Sequence, residues 1–361
     1  MTDFYRGKRV FVTGHTGFKG AWLCRILKNA GAIVTGYSLA PNTTPNLFTL
    51  ADTANGMTSI IGDVRDFETL HRAFLAADPQ IVFHLAAQPI VRESYRTPRD
   101  TYEINVMGTV NLFECIRKSQ SVLSVLNVTT DKVYENFERA ESYREDEKLD
   151  GFDPYSNSKS CSELVTHCYC RSFFADGVPA VSTARAGNVI GGGDFAADRI
   201  VPDCVRAALQ GTNIAIRNPH STRPYQHVLE PLFAYLMIAQ EQYLDHEKAG
   251  WYNVGPDDCD CFETGALVDA FLNCWGEGLR AENHADNGPH EASFLKLDNR
   301  KLKETFDWSP CWNLTTAIRK TVDWTKAWRD GDGVTDIMDE QIRAFQYAFD
   351  KQREDVCRFH S

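Results

Sequence analysis

The sequence has no run of about 18 apolar residues, so it offers no membrane-spanning helix. Its opening, MTDFYRGKRVFVTG, shows neither the apolar stretch nor the small-residue cleavage pattern of a secretory leader. A cytoplasmic protein with no membrane partner is expected. Excess positive charge is also missing. The formal net charge is −11, which argues against nucleic acid as a partner but leaves room for a small anion held by a local group of arginines. Paired metal-binding or redox cysteines are lacking as well. The 11 cysteines are scattered, and the close pairs Cys168/Cys170 and Cys259/Cys261 have the wrong spacing for zinc or for a CxxC motif. Reduced thiols and no metal are expected. No internal repeat or low-complexity tract occurs.

What is present reads as an ordinary globular chain, 43% hydrophobic and 24% charged over 361 residues. That length suggests about two domains. Short β-branched runs alternate with helical patterns through the first half. The expected strands are Lys8 to Thr13, Ala32 to Tyr37, Thr58 to Ile61, Gln80 to His84, Val122 to Val128 and Pro179 to Thr183. Such alternation predicts an α/β fold with a doubly wound parallel (Rossmann) sheet. After about Arg185 the rhythm breaks at Gly191-Gly192-Gly193, Asn218-Pro219 and Gly255-Pro256. A smaller, mixed domain is expected there. The division is 1–184 for the first domain, with the chain returning at about 224–256, and 185–223 plus 257–361 for the second. Helices are expected at Glu263 to Trp275 and at Asp336 to Asp350.

The strongest single feature is Gly14-His15-Thr16-Gly17-Phe18-Lys19-Gly20, directly after the first strand and opening a helix. Glycines let the backbone turn tightly against a pyrophosphate, and the helix start presents free N–H groups. Gly14, Thr16, Gly17, Phe18, Lys19 and Gly20 are therefore candidate cofactor-binding residues. No carboxylate stands in Tyr37-Ser38-Leu39-Ala40 to take ribose hydroxyls. Equally, no lysine or arginine lies between Ala30 and Ile61 to receive a 2′-phosphate. The missing cation weighs more, so NAD is favoured over NADP. Asp63 and Val64 follow the third strand, where they could reach the adenine; a helix cap is the alternative for the aspartate, with Asp66 better placed for it.

Tyr155 and Lys159 stand four apart, on one face of a helix. A neighbouring ammonium favours the phenolate and lowers a phenol's pKa from about 10. With the glycine motif upstream, the pair resembles the extended short-chain dehydrogenase/reductase family. Thr129-Thr130-Asp131, Leu85-Ala86-Ala87 and Asn105 fit the same resemblance, which covers nearly the whole chain. Thr130-Asp131 resembles the sugar-nucleotide 4,6-dehydratases within it. The runs GHTGFKG (14–20), NVTTDKVY (127–134), RAGNVIGGGD (185–194), IRNPHSTRPYQHVLEP (216–231) and HEASFLKLD (290–298) resemble the CDP-glucose branch.

The resemblance implies a reaction: conversion of CDP-glucose to CDP-4-keto-6-deoxyglucose and water. Tyr155 would take the C4 hydroxyl proton, Thr130 would bond the same oxygen, and Lys159 would hold the cofactor ribose and tune Tyr155. Asp131 would protonate the departing C6 hydroxyl. The dTDP-glucose enzymes carry a glutamate as C5 base where this chain has Lys132, which could serve only as a neutral amine; positioning the substrate or pairing with Asp131 is the alternative. Leu85, Ala86, Ala87, Asn105 and Thr129 would line the cofactor. Gln88, Asn188, Arg217, Arg223 and His227 would bind the nucleotide sugar, with Asn188 and Arg223 on the diphosphate, to which a guanidinium forms forked bonds, and Arg217 near the nucleoside. Tyr225 and Phe195 could stack on a base, although aromatics of this kind are more often core, as His84 is expected to be. The helices Asn105 to Lys118 and Tyr155 to Phe174 pair subunits in this family, implying a homodimer or homotetramer. A UDP-hexose 4-epimerase, which has no use for Asp131, another nucleotide-sugar 4,6-dehydratase and a non-catalytic NAD sensor are the rival readings.

Overall fold

The computed structural model describes residues 2–276, 278–284 and 294–359. Seven parallel strands form one sheet: β1 (Arg9–Thr13), β2 (Ile33–Ser38), β3 (Thr58–Ile61), β4 (Ile81–His84), β5 (Ser124–Val128), β6 (Ala180–Ala186) and β7 (Trp251–Val254). Their spatial order is β3-β2-β1-β4-β5-β6-β7. All six expected strands are present with small shifts at their ends, and the doubly wound fold follows.

Alternate residues of each strand supply two cores, because successive side chains point to opposite faces. On one face Val10, Val12, Ile81, Phe83, Leu126 and Ala184 pack under α1 (Phe18–Asn29). On the other, Phe11, Val82 and Val125 pack under α2 (Phe67–Ala77) and α3 (Gly108–Arg117). Beside α3 lies α4 (Pro154–Phe173), which begins with Pro154 after the cap Asp153, whose carboxylate accepts from Ser156 N at 3.0 Å. In the second half, α5 (Ile200–Gln210) leads toward α6 (Leu229–Leu244), which is buried along most of its length on the α1 face of the sheet. The smaller core joins α5 to Ile214, Ile216, α7 (Thr264–Trp275) and one side of α8 (Leu314–Asp330). Among the described residues, no helix is long and apolar enough to cross a membrane.

The expected division needs one correction. The last helix, α9 (Val334–Phe359), does not join the smaller core. It buries Met338, Ile342, Phe345 and Phe349 in the same cluster as α1 and α6. The physical reason is that α6 is apolar nearly all round, so one face meets the sheet and the other needs a second layer. Arg25 of α1 holds α9 by a two-pronged bond to Asp339, at 2.8 and 2.5 Å. Of the HEASFLKLD run, residues 290–293 lie outside the described residues.

Phe345 is fully buried, with its ring 4.8 Å from Phe233 and 4.9 Å from Trp312. Phe345→Ala should lower the unfolding free energy by about 3–5 kcal/mol, read from urea denaturation monitored by circular dichroism.

Candidate active site

Strand pairing sets the Gly14 turn against the loop that follows β4. The order of strands reverses between β1 and β4, which opens a crevice at their carboxyl ends. Thr13 pairs with His84. The Thr13 hydroxyl accepts from the N–H groups of Leu85 and Ala86, each at 3.2 Å, and meets His84 Nδ1 at 2.7 Å. Gly14 has φ +78°, and a side chain there would place Cβ 2.7 Å from Ala86 N. A Cβ on Gly20 would overlap the Gly14 carbonyl. Gly17 caps α1 without any side-chain bond to the first N–H groups of the helix. Backbone donors aimed at a groove that only glycine leaves open fit a dinucleotide pyrophosphate. Thr16 instead ties the loop to β2, donating to the Leu39 carbonyl at 2.8 Å.

The outer pocket wall is formed after β3. Asp63 receives Arg65 through Nε at 2.9 Å and Nη2 at 2.6 Å. Burial pushes the Asp63 carboxyl up, but these bonds outweigh it and hold it below its usual value. Asp66 is the cap of α2, accepting from Thr69 N at 3.1 Å. Val64 is a buried wedge against Gly108, where a Cβ would stand 2.7 Å from it. Past Leu85–Ala87, the Gln88 amide is spent on its own loop and neighbours, bonding Ile90 and Thr101. Asn105, in a π-helical turn, accepts from Gln88 N and donates to Gln88 O and Ser158 Oγ. As placed, both side chains build the wall of the crevice.

At the end of β5 the chain turns through Thr129 and Thr130 into a single 3₁₀ turn, Asp131–Val133. The Thr130 hydroxyl donates to Asp131 Oδ1 at 3.0 Å and is bonded to Tyr155. Asp131 is 1% exposed, and its Oδ2 has no partner among the described residues. Lys132 is half-buried, and no bond to its Nζ is formed among the described residues. Thr129, expected beside the cofactor, donates its hydroxyl to Glu163 instead. Lys159 is 4% exposed and donates to the Val128 carbonyl at 3.0 Å.

The expected downward shift of Tyr155 is overturned. Burial pushes its phenol up to about 12, and the opposing hydrogen bond with Thr130 offsets only part of that. The Lys159 ammonium faces a backbone carbonyl, and burial brings its own pKa down to about 8, with Glu163 pulling the other way. Lys19 comes down to about 7 through burial and the nearby cations Arg199 and Lys159. Lys19 Nζ stands 5.9 Å from the centre of the Tyr235 ring.

On the substrate side, Asn188, Arg223 and Tyr225 lie together beyond β6. Arg223 and Tyr225 are buried, and Tyr225 bonds Thr264 at 3.1 Å. Arg217 is already paired, with Asp198 at 2.9 Å and Asp203 at 3.1 Å. Phe195 packs on Trp328 at 5.0 Å, a core contact. His227 corrects the expectation outright. It is fully buried against Trp312, 5.0 Å away, and Trp22, so it cannot touch a diphosphate. Its place in one stretch with Arg217 and Arg223 was misleading because the strand it ends, Gln226–His227, is buried and pairs with Val189–Ile190. Two contributors went unread in the sequence: Arg199, held by Asp194 at 3.0 Å and favouring the Tyr155 phenolate, and Glu163, behind Lys159.

Burial lowers both His84 and His227 from 6.5 to about 3, with the Lys159 and Lys320 charges adding to the effect. The native state therefore resists protons that the unfolded chain accepts, so stability should fall as pH drops from about 6.5 toward 3. His227→Gln should flatten that slope in urea titrations at several pH values, while an unchanged slope would show that other groups carry it.

Comparison with known proteins agrees with this geometry. The family model described as GDP-mannose 4,6 dehydratase matches residues 11–321. A CDP-glucose 4,6-dehydratase of Salmonella typhimurium is 47% identical over 338 residues, covering 91% of this chain and 94% of that protein. A dTDP-glucose 4,6-dehydratase of the same organism is 26% identical, covering 87% and 92%. Among solved structures, dTDP-glucose 4,6-dehydratase from Bacillus anthracis in complex with NAD superposes with TM-score 0.76 at 20% identity, over 90% of this chain and 98% of that one. UDP-glucose 4-epimerase from Thermus thermophilus with NAD gives 0.77 at 24%, over 88% and 98%. These two share the fold, whereas the family match and the 47% relative place the sequence itself: the chain belongs to the GDP-mannose 4,6 dehydratase family, among the extended short-chain dehydrogenases/reductases.

Proposed function

We propose that this protein is an NAD-dependent CDP-glucose 4,6-dehydratase. The observation that carries the proposal is Asp131: a buried carboxyl group whose Oδ2 has no partner among the described residues, one residue from Thr130 and beside Tyr155. A 4-epimerase needs a base at C4 and nothing more, so a second proton-carrying group at this point favours elimination of water. The fold does not separate the two, since dehydratases and epimerases superpose equally well. The preference for CDP over other nucleotides is supported by the 47% relative.

The glycine turn and the start of α1 would hold the NAD pyrophosphate, with Asp63 and Val64 on the adenosine side. NAD held there would supply a hydride acceptor for C4 and a hydride donor for C6. Tyr155 takes the C4 hydroxyl proton. Burial disfavours its phenolate, and the Thr130 bond and the Arg199 charge pull against that. With a ketone at C4 the C5 proton is acidic. Lys132, its amine free of bonds among the described residues, removes it as a neutral amine while Asp131 protonates the departing C6 hydroxyl, and the proton goes back to C5 when hydride reaches C6. Asn188 and Arg223 contact the diphosphate from the smaller lobe, which serves as the substrate domain, and Arg217 lies toward the nucleoside. Exposed Met107, Leu164 and Phe173, on the helices around Asn105 and Tyr155, support pairing of two subunits. We place the reaction in the cytoplasm, where nucleotide sugars are made.

Purified protein given NAD and CDP-glucose should yield a product with the near-ultraviolet absorbance in alkali of a 4-keto-6-deoxy sugar. Asp131→Asn should cut its formation by about 10²–10⁴-fold. Activity on dTDP- or GDP-glucose alone would move the nucleotide assignment, and tight NAD binding with no turnover of any nucleotide sugar would favour a sensor. Separately, Lys132→Met should abolish exchange of the C5 hydrogen with deuterated water, whereas exchange at the wild-type rate would remove Lys132 as the base.

A further inference from the structure

Glu163 lies one helical turn after Lys159 and two after Tyr155, fully buried at the interface of α4 with the sheet. Its two oxygens are divided between strands, and Oε2 also faces His167 Nε2 of its own helix at 3.4 Å, a titratable neighbour besides Arg185. Oε1 accepts from Thr129 at the end of β5; Oε2 accepts from Thr183 at 2.8 Å and from Arg185 Nη2 at 2.9 Å, both on β6. Thr129 immediately precedes Thr130 and Asp131. The carbonyl that holds Lys159 belongs to Val128, on the other side of Thr129. One carboxylate thus fixes the helix that carries the base and its cation to the strand end that carries the acid.

We propose that Glu163 is a positioning residue for the reaction: it sets the distance between Tyr155 and the Thr130–Asp131 turn and supplies the negative charge that keeps Lys159 an ammonium. Chemistry at C4 and at C6 must share one substrate pose, so both sets of groups have to be registered on each other. A carboxylate with hydrogen bonds to both β5 and β6 does this directly. The charge has a partner of its own, because Arg185 is fully buried and its other nitrogen donates to the Tyr134 hydroxyl at 2.8 Å. Burial pushes the Glu163 carboxyl up, yet Arg185 and the hydrogen bonds outweigh it and hold it down at about 2, so it is ionised throughout the working range. The other groups facing Lys159 cannot replace it. Lys19 from α1 is a like charge, His84 from β4 is neutral, and burial works against a negative charge on Tyr155. Asp131 reaches the same cluster from the end of β5 but belongs to the acid's own task.

The inference rests on the proposed reaction and is tested in the full-length protein with NAD. The variants are Glu163→Gln and the double Glu163→Gln/Arg185→Met, the second removing the uncompensated guanidinium so that folding survives. Lys159 has to be charged to act, so activity falls as pH rises through its pKa, near 8. Without the Glu163 charge that pKa drops further. The alkaline limb of kcat/KM should therefore move about 1 pH unit toward acid in both variants. At the optimum, kcat should fall about 10²-fold with KM little changed. A merely structural glutamate would lower activity with the limb in place, and superimposed limbs in both variants would overturn the proposal. If wild type does not act on CDP-glucose, the reaction assignment fails and this inference is read from calorimetric titration of NAD instead. There the same acid shift should appear in the pH dependence of affinity, and no shift would overturn it.

Discussion

A negative charge buried between a helix and a sheet has to be answered within reach of its own oxygens, and much of this protein is arranged around that answer. Glu163 draws Arg185 into the interior, where an unpaired guanidinium would itself be costly, and Arg185 in turn recruits Tyr134. The Tyr134 hydroxyl donates to Asn253 Oδ1 on β7 at 2.6 Å, and Asn253 donates to the carbonyls of Tyr143 and Asp298. A single ion pair thus organises three strands, the helix of the catalytic tyrosine and two loops that reach toward the smaller lobe. Removing one member alone would strand the other at a cost of about 3–5 kcal/mol. The rest of α4 follows the same rule. Ser158, Ser160, Ser162 and Thr166 face inward and each finds a directional partner, so the helix is set by hydrogen bonds more than by apolar contact.

On the other side of the crevice the constraint is steric. The β1 and β4 ends are held together by the Thr13 hydroxyl, which gathers two backbone donors and a histidine at once. That leaves no volume beside Gly14 or Gly20 for a side chain. The two constraints meet at Lys19 and Lys159, whose ammonium groups feel each other across the crevice. An anion placed between them would relieve the repulsion, consistent with a site built to receive a pyrophosphate or a diphosphate sugar.

The sheet was legible because its strands are short apolar runs separated by amphipathic stretches, a pattern that burial on both faces demands. The glycine turn was legible because its residue type is dictated by backbone geometry. Tyr155, Lys159, Thr130 and Asp131 came from spacing and resemblance, and the structure brings them to one place. The protonation balance at Tyr155 was not legible, because burial depends on what covers a residue and sequence spacing sees only the neighbouring cation. His227 failed for the same reason: its strand end looks like an approach to the ligand but is sealed between indoles. Glu163 and Arg185 were invisible because they are distant in sequence and polar on elements that read as core. The membership of α9 escaped because an apolar stripe does not say which of two cores it will meet.

Five of the seven tryptophans, Trp22, Trp308, Trp312, Trp324 and Trp328, belong to the cluster where the fingerprint helix meets the C-terminal region. Trp22 donates to the Gly192 carbonyl at 3.0 Å, and Trp324 leaves Gly192 no room for a side chain. The glycine run that leads into the smaller lobe is therefore pressed directly against indole rings. Their emission is an optical window on that joint, so any tilt of one lobe against the other on filling the crevice registers as a change in colour or lifetime without an added label.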